Sequence, residues 1–111
     1  MSLIPRQYEI YLAELNPIVD AGIGKIRPVV IVSQNAMNRY LETIVICPLT
    51  FKLHPQWQSR LQIICAGKPA EIVVDQIRTI SKSRLRKKLD NLSVDSADQL
   101  RRLITEMYGE S

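Results

Sequence analysis

Signatures of bound cofactors and metals are the first thing this 111-residue sequence lacks. It has no Gly-x-x-x-x-Gly-Lys-Ser/Thr phosphate loop, no Gly-x-Gly-x-x-Gly fingerprint, no His-Glu-x-x-His pair and no Gly-x-Ser-x-Gly elbow. Histidine occurs once, as His54, so a serine–histidine–acid site would have to be assembled around a single loop residue. The two cysteines, Cys47 and Cys65, are too far apart for a Cys-x-x-Cys pair and sit in apolar runs, which predicts reduced core thiols. Aromatic residues make up only 5% and are scattered, leaving no evident stacking platform for single strands. No apolar run approaches the roughly 18 residues of a membrane span. The opening MSLIPRQYEIYLAEL has no basic leader followed by an apolar core, so no secretory signal is expected. A cytoplasmic protein without cofactor or metal is the resulting expectation.

What is present is ordinary for one globular domain over residues 1–111: 46% hydrophobic and 23% charged residues. The net charge of +4 is a mild lean toward a polyanionic partner. Lys82, Arg84, Arg86, Lys87 and Lys88 form a basic run that reads equally as a solvated face or a nucleic-acid patch.

The pattern predicts short strands and one helix. Tyr8–Leu15 reads as a strand ended by Asn16-Pro17, followed by a glycine loop with a cationic exit, Lys25 and Arg27. Pro28–Ser33 and Thr43–Thr50 are β-branched runs suited to buried strands, with Gln34–Leu41 a turn or short helical segment between them. Residues 51–59 are a loop, Arg60–Cys65 a strand, Gly67-Lys68-Pro69 a turn, and Glu71–Ile80 one long strand. Ser81 caps a brief helix through Leu85, and Leu89 and Leu92 mark a short last strand. Leu100, Leu103, Ile104 and Met107 recur at helical spacing, with Ser93 or Asp95 as N-cap and Gly109 as stop. The sum is a mainly β fold: a curved antiparallel sheet or small barrel carrying a C-terminal helix. The apolar runs 29–32 and 44–47 exceed what one face of a small barrel needs, which fits either a core strand or a dimer face.

Four features carry potential chemistry. Gly-Ile-Gly-Lys-Ile-Arg-Pro at 22–28 lets backbone approach a ligand and places Arg27, a bidentate anion binder, at the mouth of a strand. Thr50 offers a hydroxyl at a strand end. Asp75-Gln76 interrupts an apolar strand, where an acid must be paired, at an edge, or functional. Arg78 follows in Arg-Thr-Ile-Ser.

In order and spacing across nearly the whole chain, EIYLAELNP, GKIRPVVIVSQNAMN, TIVICPLT and VVDQIRTISKSRL resemble the MazF/PemK family of toxin endoribonucleases. The resemblance implies an SH3-like, partly open antiparallel barrel with a C-terminal helix. It implies a homodimer, a cognate antitoxin, and metal-independent cleavage of single-stranded RNA by 2′-hydroxyl attack, leaving 2′,3′-cyclic phosphate and 5′-hydroxyl ends. Arg27, Thr50 and Asp75 match the family's catalytic positions. Gly24, Lys25, Lys52, His54, Gln76 and Arg78 are the expected RNA contacts, with loops 17–26 and 51–59 reading unstacked bases. Trp57 is expected to be a partly buried cover over the barrel.

The match has departures. Where relatives carry a glutamate before the catalytic arginine, this chain has Gly22; where some carry an arginine two residues before the aspartate, it has Val73. The reduced charge set leaves open full, weakened or absent activity. Two alternatives accompany it: a non-catalytic toxin binding a protein such as DNA gyrase, as in the related CcdB group, and an inactive RNA-binding barrel.

Overall fold

The computed structural model describes residues 4–15 and 25–109. The first strand, β1 (Glu9–Leu15), buries Ile10 toward one side and Tyr11, Ala13 and Leu15 toward the other. β2 (Lys25–Ile31) runs antiparallel to it, with Ile10 opposite Val30 and Ala13 opposite Arg27. A one-and-a-half-turn helix, α1 (Asn35–Tyr40), leads to β3 (Thr43–Thr50), which pairs β2 through Val29–Pro48 and Ile31–Ile46. Then follow β4 (Arg60–Cys65), β5 (Lys68–Val73), β6 (Arg78–Ser81), β7 (Leu85–Asn91) and α2 (Val94–Tyr108).

The sheet order is β4-β5-β3-β2-β1-β7, with β6 also against β3. Among the described residues no ladder joins β6 to β7; one 3₁₀ turn, Lys82–Arg84, links them, so the barrel is closed by chain connectivity and is partly open. This is the expected mainly β barrel with a C-terminal helix. No described helix is long and apolar enough to cross a membrane.

Successive residues point to opposite faces of a strand, and here both faces are covered. Tyr11, Ala13, Val29, Ile31, Ile44, Ile46 and Ile80 fill the barrel interior. Ile10, Val30, Cys47, Leu49, Ile72 and Val74 face the other way and are roofed by α2 through Leu100, Leu103, Ile104 and Met107. The surplus apolar character of 29–32 and 44–47 is therefore consumed within one chain, and it is no longer an argument for a dimer. Cys47 and Cys65 are free and buried, as expected. Burial pushes the Cys47 thiol up to about 12, with the Asp75 charge adding to the effect.

The structure differs from the sequence reading at several boundaries. β2 begins at Lys25, so Pro28 lies inside it, beyond the end of the ladder to β3. Glu71–Ile80 is not one strand. β5 and β6 both pair β3, but from Leu49–Ile72 to Ile46–Arg78 β3 advances three residues and the opposite chain six. The excess forms the 3₁₀ turn Val74–Gln76 beside Cys47 and Pro48, where proline offers no ladder donor. The turn before β5 is Ala66-Gly67, both at positive φ (49° and 82°), a two-residue hairpin with Lys68 and Pro69 already in the strand. The last strand spans Leu85–Asn91, longer than Leu89 and Leu92 indicated.

Helix α2 starts where Ser93 Oγ accepts the Ser96 N–H at 3.1 Å. It ends at Gly109, where a Cβ would meet the Thr105 carbonyl oxygen at 2.5 Å. Its attachment rests on Leu100, fully buried against the sheet. Leu100→Ala is expected to cost about 3 kcal/mol, read as a lower urea midpoint with an unchanged m-value.

Candidate functional site

Residues facing each other across antiparallel strands share one side of the sheet. Glu71 on β5 faces Thr50 on β3 and also Gln62 on β4. Extending the Val29–Pro48 register by two residues brings Arg27 on β2 level with Thr50. Arg27, Thr50, Glu71 and Gln62 thus form one row across four strands. They share the side of β2 and β3 that carries Val29, Ile31, Ile44 and Ile46, at the end where the barrel interior opens.

The Arg27 end of the row is an open cleft of about 420 Å³, lined by Lys25, Ile26, Arg27, Pro28, Leu49, Thr50 and Phe51. Lys25 and Arg27 are exposed, and among the described residues no acceptor engages the Arg27 guanidinium. Thr50 Oγ1 accepts the Lys52 N–H at 3.1 Å, which fixes the hydroxyl oxygen and leaves its proton free to donate. A guanidinium and a hydroxyl across adjacent strands, in a cationic cleft, form a seat for a tetrahedral oxyanion.

Asp75 and Gln76 lie elsewhere. Both are exposed on the 3₁₀ turn beside Cys47 and Pro48, and neither lines the cleft. Arg78 is exposed at the start of β6, opposite Ile46, on the side that carries Arg27. Lys52 is exposed and His54 half-buried in the loop leaving Thr50. Gly22 and Gly24 are outside the described residues. The structure thus brings Arg27, Thr50 and Lys25 together, with Lys52 and His54 in the loop that follows Thr50, and keeps Asp75 outside the cleft on the turn beside Cys47 and Pro48.

The acid inside a strand is Glu71, which sequence reasoning passed over. Its side chain is fully buried. It accepts from Arg60 Nη1 at 2.9 Å, from Gln62 Nε2 at 2.7 Å and from the His54 backbone N–H. Burial alone would push its carboxyl up; the Gln62, His54 and Arg60 bonds, with the Arg60 charge, outweigh it and hold the group below its ordinary 4.5. The guanidinium of Arg60 lies 4.7 Å from the Trp57 ring centroid, and the His54 and Trp57 rings stack at 3.9 Å and 6°. Arg60 Nε is buried without a partner among the described residues. Trp57 is 46% exposed, a rim residue rather than a cover over the barrel. The signal was available: Ala70-Glu71-Ile72-Val73-Val74 places one carboxylate in an apolar run.

The basic run is mostly committed within the chain. Lys82 Nζ donates to the Asn38 and Leu41 carbonyls at the end of α1, Arg86 pairs Glu14 at 3.0 Å, and Lys88 pairs Glu9 at 2.8 Å. That supports the solvated-face reading of this segment.

Residues 6–108 match the family of PemK-like, MazF-like toxins of type II toxin–antitoxin systems. The chain is 33% identical over 93 residues to an endoribonuclease MazF of Staphylococcus saprophyticus, covering 79% of this chain and 78% of that protein. A MazE–MazF structure from Deinococcus radiodurans superposes with a TM-score of 0.83 at 18% identity, covering 99% of this chain and 100% of that one. A mycobacterial endoribonuclease solved with its cognate antitoxin gives 0.79 at 20% identity, covering 96% and 97%. At these identities the structural likenesses establish the fold.

A carboxyl held below its ordinary value stabilises the native state above that value and loses the contribution as pH falls through it. Stability measured by urea titration is expected to fall below about pH 4.5. Glu71→Gln is expected to lower stability at pH 7 and to flatten that acid limb.

Proposed function

The chain belongs to the PemK-like, MazF-like toxin family, and from that premise we propose that it cleaves single-stranded RNA without a metal ion. The 2′-hydroxyl attacks the adjacent phosphorus. The 2′-hydroxyl loses its proton to solvent as the O2′–P bond forms and the P–O5′ bond breaks, giving a 2′,3′-cyclic phosphate and a 5′-oxyanion that takes up a proton to become the 5′-hydroxyl. Charge accumulates on the non-bridging oxygens of the phosphorane, and stabilising it where it develops lowers the barrier most.

The observation that carries this reading is the juxtaposition of Arg27 and Thr50 in one cationic cleft. Arg27 supplies a permanent charge and a two-donor fork to the phosphorane. A guanidinium keeps its charge and is a poor proton donor, so its contribution is electrostatic. Thr50 donates its hydroxyl proton to a second oxygen. Lys25 and Lys52 hold flanking phosphates. Asp75, Gln76 and Arg78, one step along β3, engage the next nucleotide rather than the reacting atoms.

The mycobacterial endoribonuclease solved with its cognate antitoxin supports an antitoxin partner here, and the remaining parts of the proposal follow from the family resemblance alone. A cognate antitoxin segment occupies the cleft and excludes RNA, the toxin acts as a homodimer, and its action is in the cytoplasm.

The test is incubation of purified protein with a long unstructured RNA in EDTA, with 5′-end mapping and an Arg27→Ala control. Cleavage at a recurring short motif is expected, with Arg27→Ala slowed by at least about 10²-fold while circular dichroism stays native. Thr50→Val is expected to lose less, about tenfold for one neutral donor. Intact RNA with a folded wild-type protein would overturn the reading. Activity restored by Gly22→Glu would then trace the loss to that departure, and capture of gyrase without cleavage would favour the protein-binding alternative.

A further inference from the structure

We propose that Glu71 is a positioning residue for RNA selection: it clamps the loop between β3 and β4 so that Trp57, stacked on His54, forms a ready-made platform for one unpaired nucleobase. The inference rests on RNA as the ligand of the cleft. The clamp joins three places in the chain. Glu71 takes donors from Arg60 and Gln62 on β4 and from the backbone of His54 in the loop. Arg60 in turn lies against the Trp57 ring, which His54 stacks at 3.9 Å. Each end of the loop is also a neighbour of Glu71, since Thr50 and Gln62 both face it.

A buried carboxylate is costly unless fully bonded, so its removal frees what it holds. The clamp lies next to Thr50 in the row that begins at Arg27. A nucleotide whose phosphate sits at Arg27 and Thr50 therefore has a neighbouring base within reach of the rim. Trp57 is nearly half exposed there. The part of the indole that His54 and Arg60 leave exposed, in the loop that continues from Thr50, offers the π-face that nucleobase stacking needs. Fixing the loop before RNA arrives removes much of the ordering cost of binding.

Trp57 is the only tryptophan, so its fluorescence reports the platform directly. The probe is a single-stranded RNA octamer blocked against cleavage by 2′-O-methyl groups. Saturable quenching is expected in the wild type, with affinity about tenfold weaker in Glu71→Gln. On cleavable RNA, Trp57→Ala and Glu71→Gln are expected to raise KM about tenfold, with kcat little changed, and to flatten base preference at one position of the mapped sites. Should Glu71→Gln not fold, Gln62→Ala, at an exposed β4 position, carries the same test. Fluorescence indifferent to RNA overturns the proposal, as does wild-type KM and base preference in Trp57→Ala together with Gln62→Ala or Glu71→Gln. Either result alongside Arg27-dependent cleavage leaves the nuclease reading standing. Quenching by a wild type that cleaves nothing keeps the platform and removes the nuclease.

Discussion

β3 is the strand on which the cleft depends, because it is paired along both edges and buried on both faces. Its first half holds β6, its last two residues hold β5, and β2 runs along its other side. Cys47 and Leu49 enter the layer beneath α2 while Ile44 and Ile46 enter the barrel. A strand held in this way cannot slip by one residue without turning both sets of side chains the wrong way. Thr50 inherits that rigidity, and so does its alignment with Arg27.

Pro48 divides the strand functionally. On one side of it β3 carries an uninterrupted ladder. On the other it pairs β5 through Leu49 and Thr50, and opposite Cys47 and Pro48 the chain leaves the sheet as a single 3₁₀ turn and returns. That departure brings Asp75 and Gln76 to the surface, while Glu71, still in the ladder before it, stays inside the protein. Two acids four residues apart thus have opposite fates. Asp75 is solvated, whereas Glu71 is buried and bonded to a strand partner, an arginine and a backbone amide.

Much of this was legible in the sequence, for physical reasons that differ by element. β-branched runs identified β2 and β3, and helical spacing with Ser93 and Gly109 identified α2. Arg27 and Thr50 could be named because each lies at the end of such a run. The split of Glu71–Ile80 was not legible, because it depends on a register against β3 that local pattern does not encode. The same gap hid Glu71: the rule that an acid in an apolar strand must be satisfied was applied to Asp75, which the turn removes from the strand. The two-sided burial of β2 and β3 was equally hidden, since a continuous apolar run looks the same whether its second face meets a helix or another subunit.

The fate of the basic residues bears on how a polyanion finds this protein. Lys82, Arg86 and Lys88 are occupied by carbonyls and carboxylates. Lys25, Arg27 and Lys52 have no carboxylate partner among the described residues and gather at the cleft and its rim. The cleft therefore keeps positive charge that no described carboxylate neutralises, whereas most of the longest basic stretch is engaged within the chain. With RNA as the proposed ligand, that charge favours encounter at the open end of the barrel, and the guidance fades once ions shorten the Debye length to about 8 Å or less.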